Sequence, residues 1–424
     1  MTVAARGTSI VSVQAPKWRW HIGRIKPMSA LDRQPLNSEG DIPASGGWKD
    51  GDPAGWRQFM SICDGRCFAL EGGGMLDEIT VAYETWGTLN AAASNAILVC
   101  HALTGDAHAA GSSGDGQPTD GWWNGLIGPG LALDPDRYFI VCANVLGGCQ
   151  GTTGPASLHP DDGKPYGSRF PVVSIRDTVR TQAALADGLG IDRWLSVVGG
   201  SMGGMQVLEW AVMFPERVAS YASIASALSA SPMQIGWSEV GRLAIIQDPQ
   251  WNGGDYYDAA PGGGPHLGLM LARRIAQIHY RSDKSLSDRF GRSTVDPLRD
   301  FSMWDRFQVE SYLDYHGQKL ARRFDANSYL LLNKAMDLHD VGRGRNGTDA
   351  AIARISSPGL VVTVDSDALY TPRLQVELVD ELRSAGADFR YEIIESDHGH
   401  DGFLLEYDQL NPLLDNFLSE QEKS

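Results

Sequence analysis

The chain has 424 residues, 42% of them hydrophobic and 21% charged, and carries a formal net charge of −16. These are the proportions of a globular protein with a sizeable core, and the acidic balance argues against a nucleic-acid partner, which needs a basic surface. No apolar run approaches the roughly 18 residues of a membrane span, and the N-terminal M-T-V-A-A-R-G-T-S-I-V-S-V-Q lacks the basic start and apolar core of a secretory signal.

Residues 1 to about 50 are rich in Pro, Gly, Ser and Arg without periodicity, and are expected to form an irregular arm. C-D-G-R-C at 63–67 has the outline of half a metal site, but no second Cys/His pair has matching spacing, so a turn is expected there. The cysteines number five, an odd count, and Cys100, Cys142 and Cys149 fall in or beside apparent strands, which fits a reduced, cytoplasmic protein.

From Glu78 the pattern changes. I-T-V-A-Y-E-T-W (79–86) alternates like a strand, and A-I-L-V-C-H (96–101), Y-F-I-V-C-A-N (138–144) and W-L-S-V-V-G-G (194–200) read as strands buried on both faces. Between the last two, Ser174 and Asp177 make a capping-box-like start to a helix over 174–191. Ile175, Val179 and Ala183 fall at helical spacing, and Gly190 stops it. A further helix follows Ser201 and ends at Pro215, and 219–227 reads as another strand. Strands alternating with helices predict βαβ units and a mostly parallel sheet.

The rhythm breaks near residue 230. Helix-like pieces such as 267–281 run between Gly-rich loops until G-L-V-V-T-V-D-S-D (359–367) restarts the strands, followed by a helix over 372–384 and a strand over 389–395. The organisation expected is an α/β core over 51–229 and 346–424, interrupted by a helical lid over 230–345.

One stretch carries the chemistry. V-V-G-G-S-M-G-G-M-Q-V-L-E-W (197–210) places G-x-S-x-G at a strand-to-helix junction, the context in which this motif holds a serine hydroxyl clear of the chain on a strained turn. Gly199 and Gly203 let strand and helix pass closely on either side, and the helix N-terminus favours developing negative charge at Ser201. The bland alternative is a Gly-rich turn with a capping serine. A serine nucleophile needs a base, and the base an orienting acid. In the α/β-hydrolase order the acid follows the serine and the histidine follows the acid. Of the ten histidines only His398 and His400 follow the restarted sheet. Asp365 and Asp367 compete for the acid, and Asp367 is preferred because it lies beyond the strand end. Met202 N–H and Leu103 N–H, the latter in H-A-L-T-G-D-A-H (101–108), are the expected oxyanion donors.

Taken together, G-G-S-M-G-G-M-Q-V-L-E-W, H-A-L-T-G-D-A-H, N-V-L-G-G-C-Q-G-T-T-G-P (144–155), S-D-A-L-Y-T-P (366–372) and G-H-D-G-F-L (399–404) resemble the homoserine O-acetyltransferase family of the α/β-hydrolase superfamily, in order over roughly 78–420. The resemblance implies an α/β-hydrolase fold with an inserted helical lid. It also implies acetyl transfer from acetyl-CoA, as co-substrate, to the hydroxyl of L-homoserine in methionine biosynthesis, with no bound cofactor or metal. It selects His400 over His398 and supports Asp367. Through A-R-R-I-A-Q-I-H-Y-R-S (272–282) it places Arg273 and Tyr280 in the site, Arg273 as a grip on the substrate carboxylate. Arg274 is the neighbouring alternative, and Asp401 is the expected partner of the substrate amino group. A homodimer through the lid helices is implied as well. Lys319, Arg322 and Arg323, in K-L-A-R-R-F (319–324), are candidates for the CoA phosphates or simply a solvated helix face, and Cys149 is expected to be structural. The nearest rivals are the same fold with succinyl-CoA or L-serine, then a carboxylesterase, then a non-catalytic binding relative.

Overall fold

The computed structural model describes residues 41–63, 67–296 and 305–423, and in it the apolar runs pair into one sheet of eight strands. In chain order the elements are β1 (Gln58–Ser61), the hairpin β2 (Phe68–Ala69) and β3 (Met75–Leu76), β4 (Thr80–Trp86), β5 (Ala96–Cys100), β6 (Phe139–Ala143), α1 (Ile175–Leu189), β7 (Ser196–Gly200), α2 (Met202–Met213) and β8 (Tyr221–Ile224). The helices α3 (Pro232–Ile246), α4 (His266–Tyr280), α5 (Asp283–Phe290), α6 (Gln308–Ala321), α7 (Ala326–Asp337) and α8 (Thr348–Ile352) follow, and the chain closes with β9 (Gly359–Val364), α9 (Pro372–Ser384), β10 (Phe389–Ile394) and α10 (Tyr407–Gln421). The strand order is β1-β4-β6-β5-β7-β8-β9-β10. From β6 to β10 the pairing is parallel, and only β1 and β4 run against their neighbours.

Every residue of β5, β7, β8 and β9 is buried, because helices cover both faces. Successive side chains serve different cores: Leu98, Val197 and Val361 pack with Val179, Leu208 and Leu378 from α1, α2 and α9, while Ile97, Val99, Val198 and Val362 pack with Leu410, Leu414 and Phe417 of α10. Helix α1 starts as its sequence predicts: the Ser174 side chain accepts from Asp177 N–H, the Asp177 carboxylate accepts from Ser174 N–H at 2.9 Å, and Gly190 ends the helix at φ 72°.

Some expectations shift in the structure. The strand expected over 219–227 stops at Ile224, since Ala225 turns with φ 45°. Strand β1 and helix α10 were not read from the sequence; β1 is a short, largely exposed edge, and Pro412 lies inside α10 where a pattern reading expects a break. The irregular stretch expected to residue 50 overlaps a packed segment. Ile42 and Ala44 are buried, Ser45 Oγ donates to Asp325 Oδ1 at 2.8 Å, and Trp48 N–H donates to the Cys149 carbonyl at 2.8 Å. This segment is therefore wedged between the inserted helices and the core. The rest of the expected arm, residues 1–40, and the centre of the turn at 64–66 lie outside the described residues.

The insertion between β8 and β9 is helical: α3 packs on α4 and α7, and α4 packs on α6. It sits over the C-terminal ends of the parallel strands, where open α/β sheets place their ligands.

Candidate active site

The glycines around Ser201 leave no room for Cβ atoms. A Cβ on Gly203 would stand 2.1 Å from the Cys100 carbonyl oxygen, and one on Gly199 would meet that same oxygen at 2.8 Å. Helix α2 therefore leaves the sheet directly against the end of β5. Between them Ser201 adopts φ 60°, ψ −124°, a conformation costly for a residue with a side chain. Its N–H is tied to the Ile224 carbonyl at 3.0 Å, which fixes the bend to the sheet.

A line of hydrogen bonds runs from this serine. Ser201 Oγ lies 2.8 Å from His400 Nε2, and His400 Nδ1 lies 2.7 Å from Asp367 Oδ2. With the proton on Nδ1, the imidazole donates to the carboxylate and accepts from the hydroxyl. All three side chains are buried. Asp367 Oδ1 accepts from Leu369 N–H and Tyr370 N–H, each at 2.8 Å, so the carboxylate is fully engaged. His400 rides on a 3₁₀ turn, Gly399–Leu404, whose Phe403 ring sits where a Cβ on Gly200 would be, 2.5 Å away. That contact locks the histidine's turn onto the serine's. Asp365 stands elsewhere: its N–H pairs with the Ile394 carbonyl and its Oδ1 accepts from Ser396 N–H at 2.9 Å, which ties the ends of β9 and β10. His398 turns away too, its Nδ1 3.5 Å from Arg281.

Met202 N–H opens α2 and has no intrahelical carbonyl to bind. Leu103 lies in the loop after β5, which is braced from three sides. His101 accepts Val145 N–H at Nε2 (3.1 Å) and donates from Nδ1 to the Ala102 carbonyl (2.8 Å). Ala107 N–H donates to Asn144 Oδ1 at 2.7 Å, and His108 pairs with Glu84 of β4 at 2.9 Å. The segment 144–155 is thus a brace beneath this loop. Cys149 within it is buried, and burial pushes its thiol well above the usual range, so it carries no thiolate.

The inserted helices bring cations to the same loop. Arg273 Nη1 reaches Thr104 Oγ1 at 3.4 Å, and its guanidinium lies 5.2 Å from the centre of the Tyr280 ring. That ring in turn stands 6.0 Å from His400. Arg274 points to α6, paired with Asp314 at 2.6 Å. Asp401, next to His400, pairs with Arg281 Nε at 3.1 Å, a residue the sequence reading did not single out. Burial raises the Asp401 carboxyl above its usual range, against the pull of Arg281, Arg273 and His400. Burial, and after it Arg273, Arg281, Lys319 and Arg289, hold the His316 imidazole down to about 4. Arg273, Arg281, Lys319 and Arg289 thus converge on one imidazole in a chain of net charge −16.

The basic cluster at 319–323 divides. Arg323 is largely buried, donates from Nη2 to the Thr104 carbonyl at 2.6 Å, and faces Asp106 at 3.7 Å. It is consumed in holding the 101–108 loop rather than waiting for a phosphate. Arg322 and Lys319 are both exposed, and the Lys319 ammonium is disfavoured by desolvation and by Arg323 and Arg273. The signals for Arg281 and Arg323 were in the sequence only as charges inside helical segments; their partners are far away in the chain and could not be read from spacing.

The chain is similar to known proteins in fold and in family. Residues 95–407 match the family model for the alpha/beta hydrolase fold. The chain is 52% identical over 379 residues to the homoserine O-acetyltransferase of Thermobifida fusca, covering 89% of this chain and 98% of that protein. Among solved structures it is similar to the homoserine O-acetyltransferase of Bacillus anthracis, with a TM-score of 0.78 at 28% identity over 85% of this chain and 97% of that one. It is also similar to esterase E22, with a TM-score of 0.77 at 29% identity over 85% of this chain and 99% of that one.

Proposed function

The chain belongs to the homoserine O-acetyltransferase family of the α/β-hydrolase fold, and from this we propose that it moves an acetyl group from acetyl-CoA to the hydroxyl of L-homoserine, a step of methionine biosynthesis, in the cytoplasm. The observation that carries the reading is the hydrogen-bonded line Ser201–His400–Asp367.

In this mechanism His400 Nε2 takes the Ser201 proton as Oγ attacks the thioester carbonyl, and Asp367 holds the imidazole in the tautomer that can accept it. Leu103 N–H and Met202 N–H receive the oxyanion, and loss of one such donor typically costs about 10²–10³ in rate. His400 returns the proton to the departing thiolate, leaving acetyl-Ser201 and free CoA. The homoserine hydroxyl then gives its proton to His400 and attacks the ester, and Ser201 recovers its proton as the product leaves. Arg273 binds the substrate carboxylate as a planar fork. Asp401, shared with Arg281, receives the ammonium. The lid orders the acceptor and keeps water from the acyl-enzyme.

Similarity to esterase E22 keeps hydrolysis as the second reading, because water can take the acceptor's place on the same intermediate. The test offers the protein acetyl-CoA or succinyl-CoA with homoserine, serine or no acceptor, and follows free thiol. Release dependent on acetyl-CoA and homoserine together is expected beyond the first turnover. Continuous release without an acceptor would favour the hydrolase.

A homodimer through the lid helices belongs to the same proposal. Met233, Trp237 and Val240 of α3 and Leu267, Leu271 and Ile278 of α4 are all exposed and recur every three to seven residues, so each set forms a stripe. A second copy of the chain is the occupant we propose for them. Sedimentation should give a dimer, and Val240→Asp with Leu271→Asp should give a monomer; a monomeric parent would refute it.

A further inference from the structure

A closed circuit of hydrogen bonds joins the inserted helices to the loop that holds Leu103. Ala107 N–H donates to Asn144 Oδ1 at 2.7 Å, and Asn144 Nδ2 donates to the Gln150 carbonyl at 2.7 Å. Gln150 Nε2 donates to the Arg323 carbonyl at 2.7 Å, and Arg323 Nη2 returns to the Thr104 carbonyl at 2.6 Å. Asn144 and Gln150 are buried, so breaking the circuit would strand polar groups away from water. Leu103 and Thr104 are the central residues of a turn closed by Gly105 N–H on the Ala102 carbonyl at 2.9 Å. In so short a turn the Thr104 peptide cannot rotate without moving its neighbours, and Arg323 holds the carbonyl of that peptide. The segment that carries Arg323, between α6 and α7, is itself fixed. A Cβ on Gly46 would stand 2.6 Å from the Arg323 backbone nitrogen. Asp325 accepts from the Ser45 hydroxyl at 2.8 Å, the Tyr256 hydroxyl at 2.7 Å and Ser328 N–H at 2.8 Å. The Arg323 side chain is only 18% exposed, and its carboxylate neighbour Asp106 stands at 3.7 Å. Burying a guanidinium is costly, and here its close hydrogen bond goes to one backbone carbonyl of the oxyanion loop.

We propose that Arg323 is a positioning residue of the oxyanion hole: it fixes the Ala102–Gly105 turn so that Leu103 N–H meets the developing oxyanion, and it thereby makes acyl transfer depend on the seating of the inserted helices. The inference rests on the acyl-serine reading above. Arg323 acts through Thr104 and exchanges no proton. The oxyanion forms twice, when Ser201 attacks the donor and when the acceptor attacks acetyl-Ser201. Both times the charge gathers on the acetyl oxygen, so a displaced Leu103 N–H slows both halves of the reaction. A phosphate contact would act differently, because it would serve only donors that carry the CoA phosphates.

Arg323→Met keeps much of the side-chain volume and removes the donor. With homoserine as acceptor, its kcat should fall about tenfold to a hundredfold, short of the roughly 10²–10³ expected when an oxyanion donor is lost outright. The burst and the steady state should slow by the same factor, with KM for acetyl-CoA and for homoserine within about twofold of the parent. p-Nitrophenyl acetate, a donor without phosphates, should be slowed as much as acetyl-CoA. Arg323→Lys keeps a single donor in place of the fork, and should slow both donors together by about threefold or more. It carries the same test if the Met variant does not fold. Rates are taken per folded molecule, checked by thermal melting, so that a purely structural role would leave kcat parental. Parental kcat in a folded Met or Lys variant overturns the proposal. So does a raised KM for acetyl-CoA with p-nitrophenyl acetate unaffected, which would mark Arg323 as a phosphate contact. A Ser201→Ala control that still turns over would instead overturn the acyl-serine reading, and the proposal with it.

Discussion

Ser201→Ala should leave a folded protein that binds its substrates but transfers acetyl groups slower by a factor on the order of 10⁶, as for removal of a nucleophile whose partners act only through it. The reason lies in the bend. At φ 60° the chain turns so sharply that the side chain of residue 201 stands apart from the strand before it and the helix after it. The space for this turn is made by Gly199 and Gly203, packed against the Cys100 carbonyl. His400 Nε2 is 2.8 Å from the hydroxyl, so no other nucleophile is in line with the base. Stopped-flow detection of CoA would measure the effect. A loss of only about tenfold would mean that the base activates the acceptor directly, without a serine intermediate.

The second large effect separates two carboxylates that are two residues apart. Asp367→Asn should lower kcat by about 10⁴, because the amide would donate toward Nδ1 and force the proton onto Nε2, the wrong tautomer for a base. Asp365→Asn should leave kcat within about threefold and cost stability instead, since Asp365 joins the ends of β9 and β10 through Ser396 N–H. Steady-state kinetics and thermal melting of the two variants give opposite signatures. Equal loss of kcat in both would contradict the assignment of the acid.

Much of this was legible in the chain. The short apolar runs, the capping box at Ser174 and the G-G-S-M-G junction follow from local periods and turn chemistry, and they sufficed for the alternation of strands and helices from Thr80 to Ile224 and again from Gly359 to Ile394. The preference for Asp367 over Asp365 followed from counting residues past a strand end, and the structure places that carboxylate on His400. What could not be read was contact between distant segments. Arg323, in a basic run, was open to two readings, a phosphate contact or a solvated helix face, and its partners are Thr104 and Asp106, more than two hundred residues earlier. Arg281 was one charge in a helical run until Asp401 was seen beside it. Tyr370 sat in a quoted motif, but nothing local shows that its ring lies on the His400 imidazole. The packed segment at 42–47 was hidden by its composition, since glycine and serine there serve close approach to Phe324 and Asp325 rather than flexibility.

The central claim is that the acetyl group rests on Ser201 between donor and acceptor. Mixing the protein with acetyl-CoA alone, quenching in acid, digesting and weighing the peptides tests it directly. The account predicts one added acetyl group on the peptide containing Ser201, which disappears when homoserine is supplied as the acetylated amino acid forms. An unmodified Ser201 peptide, in a sample that still transfers acetyl once homoserine is added, would contradict it.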